Sequence, residues 1–161
     1  MSPFEDKFPI QINIFKNDEN ECLKLFNYSK NWDFWPSKEL SDFLAKCKYL
    51  LMYAFSTIDL DWCGIALFKI EIDSADLIFI HVKAPWRKQA VASQLIQLAH
   101  IELLNRKVET VVLEVRAGNL AAQKFYKKHN YEYIARRNKY YADNLEDALI
   151  FRRSLSEIKL L

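Results

Sequence analysis

Leu77 to Ile101 reads LIFIHV, then KAPWRKQA, then VASQLIQLAHI. The first part is an apolar run of strand length, the middle a proline-containing basic turn, and the last repeats apolar residues at helical spacing. No carboxylate occurs anywhere in the stretch. Lys83, Arg87 and Lys88 gather where the helix should begin, and the first N–H groups of a helix lack intrahelical partners and lie at its positive dipole end. Such a junction suits an anion, above all a phosphate. A solvated basic loop is the structural alternative, because Lys and Arg are ordinary surface residues.

Just downstream, VETVVLEVRAGN (Val108 to Asn119) leads into LAAQKFYKKHNY (Leu120 to Tyr131), so strand, basic turn, helix, strand and helix follow without interruption. Together these residues resemble the acetyl-CoA core of the GNAT-type N-acetyltransferases. That family's pyrophosphate loop has the pattern Q/R-x-x-G-x-G/A, and Arg87, Ala90 and Ala92 stand in its register. The resemblance implies that acetyl-CoA lies beside Arg87, held mainly by backbone N–H groups of Lys88, Gln89, Ala90, Val91, Ala92 and Ser93. It also implies that Ile80, His81 and Val82 pair with the pantetheine arm and offer an N–H to the thioester oxygen, a donor that stabilises developing negative charge. Ala90 takes the place of the usual glycine, which permits positive φ. Alanine fits if its φ stays helical, with an altered approach or weaker cofactor affinity as the expected result. His81, a lone histidine in an apolar strand, reads as structural on its side chain.

Acetyl transfer to an amine requires a neutral nucleophile and a proton for the departing thiolate. An α-amine titrates near pH 8 and a lysine amine near 10.4, so the first needs far less help. A carboxylate can remove the proton and a tyrosine can protonate the sulfur. The segment LEVRAGNLAAQKFY resembles the matching stretch of the bacterial ribosomal-protein alanine N-acetyltransferases, the RimI type. That resemblance implies Glu114 as proton acceptor, Tyr126 as proton donor and Asn119 as a cofactor contact.

Each has a structural alternative. Glu114 lies in an apolar strand where an uncompensated carboxylate is costly to bury, and Arg116, on the same side in a period-two pattern, is the expected ion-pair partner. Asn119 is a natural N-cap, and Tyr126 reads equally as a packed aromatic. The run IARRNKYYADNLEDALIF extends the resemblance through Arg136, Tyr140, Tyr141, Glu146 and Asp147. A hairpin bordering an acceptor groove is expected there, with the two tyrosines as peptide contacts or as simple hairpin packing.

The rest of the chain fits one domain over residues 1–161. About half of it (51%) is apolar, enough to bury a core, and the formal net charge is +2. With basic residues dispersed, bulk nucleic-acid binding is not indicated. Cys22, Cys47 and Cys63 lack C-x-x-C spacing or a nearby histidine pair, so they read as reduced thiols and no metal site is expected. The amino-terminal sequence lacks the pattern of a secretory signal, and no apolar run reaches the roughly 18 residues of a membrane span. A soluble, cytoplasmic protein is expected.

Ile10 to Phe15 alternates like a strand, Glu19 to Ser29 suits a short helix, and Ser37 opens an amphipathic helix through Leu44. Tyr49–Thr57 and Cys63–Ile72 suggest an antiparallel hairpin to which Leu77–Val82 adds. The central helix should run from about Lys88 to Leu104. Thr110 to Val115 reads as a mid-sheet strand covered on both faces, and a left-handed Asn130 should close the last helix. Tyr131–Arg137 and Glu146–Arg152 read as a closing strand pair. The expected architecture is α/β (α+β), GNAT-like: a mixed, mostly antiparallel sheet of about seven strands flanked by about four helices.

On function the leading expectation is an acetyl-CoA-dependent N-acetyltransferase acting on a protein's N-terminal amine, with a ribosomal protein as a candidate partner. The same chemistry on a small-molecule amine or a lysine stays open, because the acceptor half of a fold varies more than its cofactor half. A non-catalytic module that binds CoA or a protein is a third possibility.

Overall fold

The computed structural model describes residues 10–15, 37–58 and 61–156, giving the backbone alone for 37–41. In chain order it contains β1 (Ile10–Ile14), α1 (Ser37–Lys46), β2 (Tyr49–Ser56), β3 (Trp62–Ile70), β4 (Ser74–Val82), a 3-10 turn (Ala84–Trp86) and α2 (Val91–Asn105). β5 (Thr110–Arg116), α3 (Leu120–Lys128), β6 (Glu132–Arg137) and β7 (Ala148–Ser154) complete it. The seven strands form one sheet in the order β1-β2-β3-β4-β5-β7-β6, antiparallel except where β4 and β5 run parallel. Antiparallel neighbours need only short turns, whereas the parallel pair needs a crossover, and α2 supplies it.

The expected sheet is therefore present, with three α-helices among the described residues. The further helix expected over Glu19 to Ser29, the aromatic segment after it and Cys22 lie outside the described residues. No described helix is long and apolar enough to cross a membrane.

Alternation along the strands sorts side chains into two cores. On one face Leu50, Met52, Ala66, Phe68, Ala75, Leu77, Val111, Leu113, Val115 and Phe151 pack against α2 and α3. On the other, Leu51, Trp62, Ile65 and Leu67 take Phe43 and Leu44 of α1. Gly64 sets how closely α2 lies on β3: a Cβ there would come within 3.0 Å of Val91 Cγ1 and 3.1 Å of Leu95 Cδ1. The absence of that one carbon lets the first turn of α2 seat on the sheet.

Two expectations need correction. The central helix begins at Val91, not Lys88, because residues 87–90 form turns and Val91 is the first side chain to enter the core. In β5 only Val111, Leu113 and Val115 are buried, and Thr110, Val112, Glu114 and Arg116 are half-exposed. The second face of this central strand is thus open enough to hold a carboxylate. Asn130, by contrast, is left-handed at φ 59° just beyond α3, as expected.

Candidate active site

The parallel ladder between β4 and β5 is short. It runs from Ser74↔Thr110 to Leu77↔Leu113 and stops. β4 nevertheless stays on β3 as far as Gly64↔Val82, and β5 stays on β7 as far as Arg116↔Ala148. Residues 78–82 and 114–116 therefore flank a split in the middle of the sheet. The break has a local cause. Leu77 pairs with Phe68 and Phe79 with Leu67, which leaves Ile78 as an extra residue, and such a bulge bends a strand and raises its twist. Past the bulge Ile80 and Val82 pack into the core under α2, while Phe79 turns to the α1 side.

At the mouth of the split lies the basic turn. The first intrahelical bond of α2 is from Gln94 N–H to the Ala90 carbonyl (2.9 Å), so the N–H groups of Val91, Ala92 and Ser93 precede the helical ladder. Lys88 and Ala90 both have φ 61°, which turns the chain sharply into the helix. The helical φ expected for Ala90 is thus not what the fold adopts: this residue is the left-handed N-cap of α2. The reason is tertiary. Arg87 Nε donates to the Val82 carbonyl (3.0 Å) and Gln89 Nε2 to the Pro85 carbonyl (2.8 Å), while Val91 is locked in the core. A left-handed non-glycine residue costs about 1–2 kcal/mol. Ala90→Gly is therefore expected to raise unfolding free energy by about 0.5–1 kcal/mol, after the extra freedom of glycine in the unfolded chain is offset. Acetyl-CoA affinity should be kept or improved, and chemical denaturation with calorimetry checks both. A destabilised variant would refute the left-handed assignment.

The basic trio is not one cluster. Lys83 Nζ is 2.6 Å from Asp61 Oδ2. Lys88 is exposed, and Arg87 is exposed apart from its bond to the backbone. Ser93 Oγ contacts His129 Nε2 (3.0 Å), tying this helix start to the end of α3. His81, facing Ile65 across the ladder, has its pKa lowered by burial and then by Arg87 and Lys83, which favours a neutral ring. Asn119 is the N-cap of α3, its Oδ1 accepting from Ala122 N–H (3.1 Å), and its amide nitrogen can donate to a ligand.

Glu114 and Tyr126 lie on opposite faces of the sheet. Leu113 and Val115 point into the core that Tyr126 shares, so Glu114 between them points the other way. Tyr126 is 8% exposed, and burial, then the nearby Tyr141, push its pKa up to about 12. The two candidates are linked through the β6–β7 loop, since Tyr141 is also coupled electrostatically to Glu114.

The ion pair expected for Glu114 has a different partner. Arg137 on β6 places Nη1 2.6 Å from Glu114 Oε1. Arg116 instead reaches Asp143 (3.0 Å) and Glu146 (3.3 Å) and lies 3.9 Å over the Tyr141 ring. Glu146 Oε1 in turn accepts from Gly118 N–H at 2.7 Å, where a Cβ would come within 2.9 Å of that oxygen. This contact clamps the β6–β7 loop onto the turn that leads into α3. Sequence reasoning did not anticipate Arg137 or Asp76, which shares the Glu114 face and interacts electrostatically with both. Only the register of β5, β7 and β6 brings these residues together.

A split sheet with a carboxylate-free turn and a helix N-terminus at its mouth suits a phosphate-bearing carrier that slips an extended arm between two strands. Residues 17–131 match the Acetyltransferase (GNAT) family, and the chain belongs to that family. Over 97 residues it is 37% identical to a Bacillus subtilis (strain 168) protein provisionally named ribosomal protein bS18-alanine N-acetyltransferase, covering 60% of this chain and 62% of the relative. Over 93 residues it is 33% identical to the ribosomal protein bS18-alanine N-acetyltransferase of Escherichia coli (strain K12), covering 56% and 63%. The chain thus spans a little under two thirds of the length of these relatives. Its fold matches the crystal structure of the ribosomal-protein-S18-alanine N-acetyltransferase from Escherichia coli at TM-score 0.76 and 23% identity, over 93% of this chain and 97% of that one. It also matches Arabidopsis thaliana NAA60 in complex with acetyl-CoA at TM-score 0.73 and 15% identity, over 91% and 99%. At those identities the likeness is one of fold.

Proposed function

We propose that this protein transfers the acetyl group of acetyl-CoA to an N-terminal amine of a protein, with the N-terminal alanine of a small-subunit ribosomal protein as the leading acceptor. The observation that carries the reading is the split between β4 and β5, with Glu114 on one face of the sheet and Tyr126 on the other. Acetyl-CoA supplies an acetyl thioester. Residues Lys88 to Ser93 hold its phosphates through backbone N–H groups, Arg87 and the amide of Asn119 lie alongside, and Ile80 to Val82, beyond the end of the β4–β5 ladder, run beside its arm.

The acceptor enters from the face that carries Glu114. As the amine nitrogen bonds to the acetyl carbon and the carbon–sulfur bond breaks, Glu114 takes the proton lost by nitrogen, directly or through one water. Tyr126 gives its proton to sulfur on the opposite face. Two groups on opposite sides of one slot can act on the two ends of one reacting centre without competing for space. A hydroxyl raised to about 12 stays protonated at neutral pH and is therefore ready to donate. The ribosomal acceptor is taken from the names of the relatives, and the reading places the protein in the cytoplasm beside that acceptor.

The test is an acetylation panel. A peptide beginning with alanine is compared with its N-terminally blocked form carrying an internal lysine, with spermidine and with an aminoglycoside. Acetyl-CoA-dependent mass gain on the free α-amine alone is the expected result. Preference for spermidine or the aminoglycoside would replace the acceptor class, and acetyl-CoA binding without turnover on any amine would reduce the protein to a binding module.

A further inference from the structure

Glu114 carries a puzzle that the reaction sharpens. A bare carboxylate beside an amine stabilises the ammonium, which has no lone pair and does not react. An opposite charge within about 4–6 Å typically moves a pKa by 1–3 units toward the charged form, enough to trap an α-amine as ammonium at neutral pH. The residue that takes the amine's proton would thereby also hold back the amine.

The charge of Glu114 is not bare. Arg137 Nη1 is 2.6 Å from its Oε1, and the Arg137 guanidinium lies 5.2 Å over the Tyr140 ring. The hydroxyl of Tyr140 donates to the same carboxylate. The other charged groups on this face do not duplicate the arrangement. Arg116 on β5 is held by Asp143 and Glu146, and Arg152 on β7 opposes Val112, farther along the strand from Glu114. Asp76 on β4 adds a second negative charge within reach of both Glu114 and Arg137. From the β6–β7 loop, Tyr140 and Tyr141 are neutral phenols at pH 7, their pKa values raised by the Glu114 hydrogen bond and by burial respectively. Among these groups Arg137 alone pairs with the carboxylate.

We propose that Arg137 is a positioning residue that cancels the charge of Glu114, so that the acceptor amine sits at the split in its neutral form. The inference rests on the acetyltransferase reading above and narrows its substrate class: with the Glu114 charge cancelled, the site favours a weakly basic α-amine over the ammonium of a lysine or polyamine. Arg137 holds Glu114 in one orientation through the Nη1–Oε1 contact.

The experiment measures kcat and KM for the alanine peptide from pH 6 to 10 in wild type, Arg137→Gln and Arg137→Lys, with folding checked by thermal melts. In Arg137→Gln the rising limb of kcat should move alkaline by about one pH unit, which lowers kcat about tenfold at pH 7. KM for the peptide should fall at the same time, because the uncancelled carboxylate attracts the ammonium. At pH 10 kcat should return toward the wild-type value, and Arg137→Lys should restore the wild-type profile. Should Arg137→Gln fold poorly, Arg137→Met gives the same readout. An equal loss of kcat at every pH, with KM unchanged, would mean that Arg137 only supports the fold and would overturn the inference. An active wild type whose pH profile survives Arg137→Gln intact overturns this inference alone, whereas a wild type inactive on every α-amine peptide overturns the acetyltransferase reading with it.

Discussion

Glu114→Gln is expected to lower kcat/KM for the acceptor peptide by about 10²- to 10⁴-fold, the usual contribution of a positioned general base. Acetyl-CoA affinity should stay at the wild-type level. The two effects separate because Glu114 points to the face opposite α2 and α3, whereas the N–H groups proposed to hold the phosphates belong to the start of α2. Stability should change little. Glutamine keeps an oxygen for Arg137 and Tyr140, and the guanidinium side chain is 52% exposed, so water replaces much of what the ion pair provided. Steady-state kinetics with calorimetry on one preparation decides the matter. A variant that binds acetyl-CoA poorly but turns over normally when saturated would remove Glu114 from proton transfer altogether.

What the sequence discloses and what it hides follow different physics. The crossover from β4 through α2 to β5 is legible because the change from an apolar run to helical spacing is local, and so is the stop at Asn130. The strand order β5-β7-β6 is not local, and it decides which cation meets Glu114. Period-two alternation correctly places Glu114 and Arg116 on one face, but proximity along a strand is not pairing. Arg116 is drawn to Asp143 and Glu146 in the β6–β7 loop, and Arg137 comes to Glu114 across β7. The bulge at Ile78 is equally hidden, since LIFIHV reads as an unbroken strand and the extra residue appears only when β3 is laid beside it.

Ala90 shows the same limit in the backbone. An alanine before a helix suggests helical φ, and only the tethering of Arg87 to Val82 and the seating of Val91 under Gly64 force it left-handed. The residue types of the candidate site are therefore legible in the sequence, and their charge pairing is not.

Acid should weaken the fold well above the range in which its carboxylates titrate. His100 is 1% exposed on α2, with Nε2 2.7 Å from the Tyr131 hydroxyl, and burial, then Arg153 and His129, lower its pKa from 6.5 to about 3. Because the folded value lies below the unfolded one, the unfolded chain binds the extra proton once pH drops under 6.5, and stability declines as pH falls from there toward 3. At about 1.36 kcal/mol per pH unit, the loss between pH 7 and pH 5 is about 2 kcal/mol from this group alone. His129, also lowered by burial and Arg153, acts in the same direction. Glu146 and Asp147, held below their ordinary values of 4.5 and 3.8 mainly by backbone N–H donors, begin to cost stability only at lower pH, and Asp76, raised by burial, acts in the opposite sense to the histidines. The consequence reaches the site, because Tyr131 packs edge-on against Tyr126 at 5.7 Å and holds the proposed proton donor in place. Urea unfolding at pH 7 and pH 5, with the His100 ring followed by NMR, should show a lower midpoint at pH 5 and a ring that does not titrate above pH 5 in the folded protein. A His100 ring that titrates near 6.5 while the fold stays intact would contradict this account.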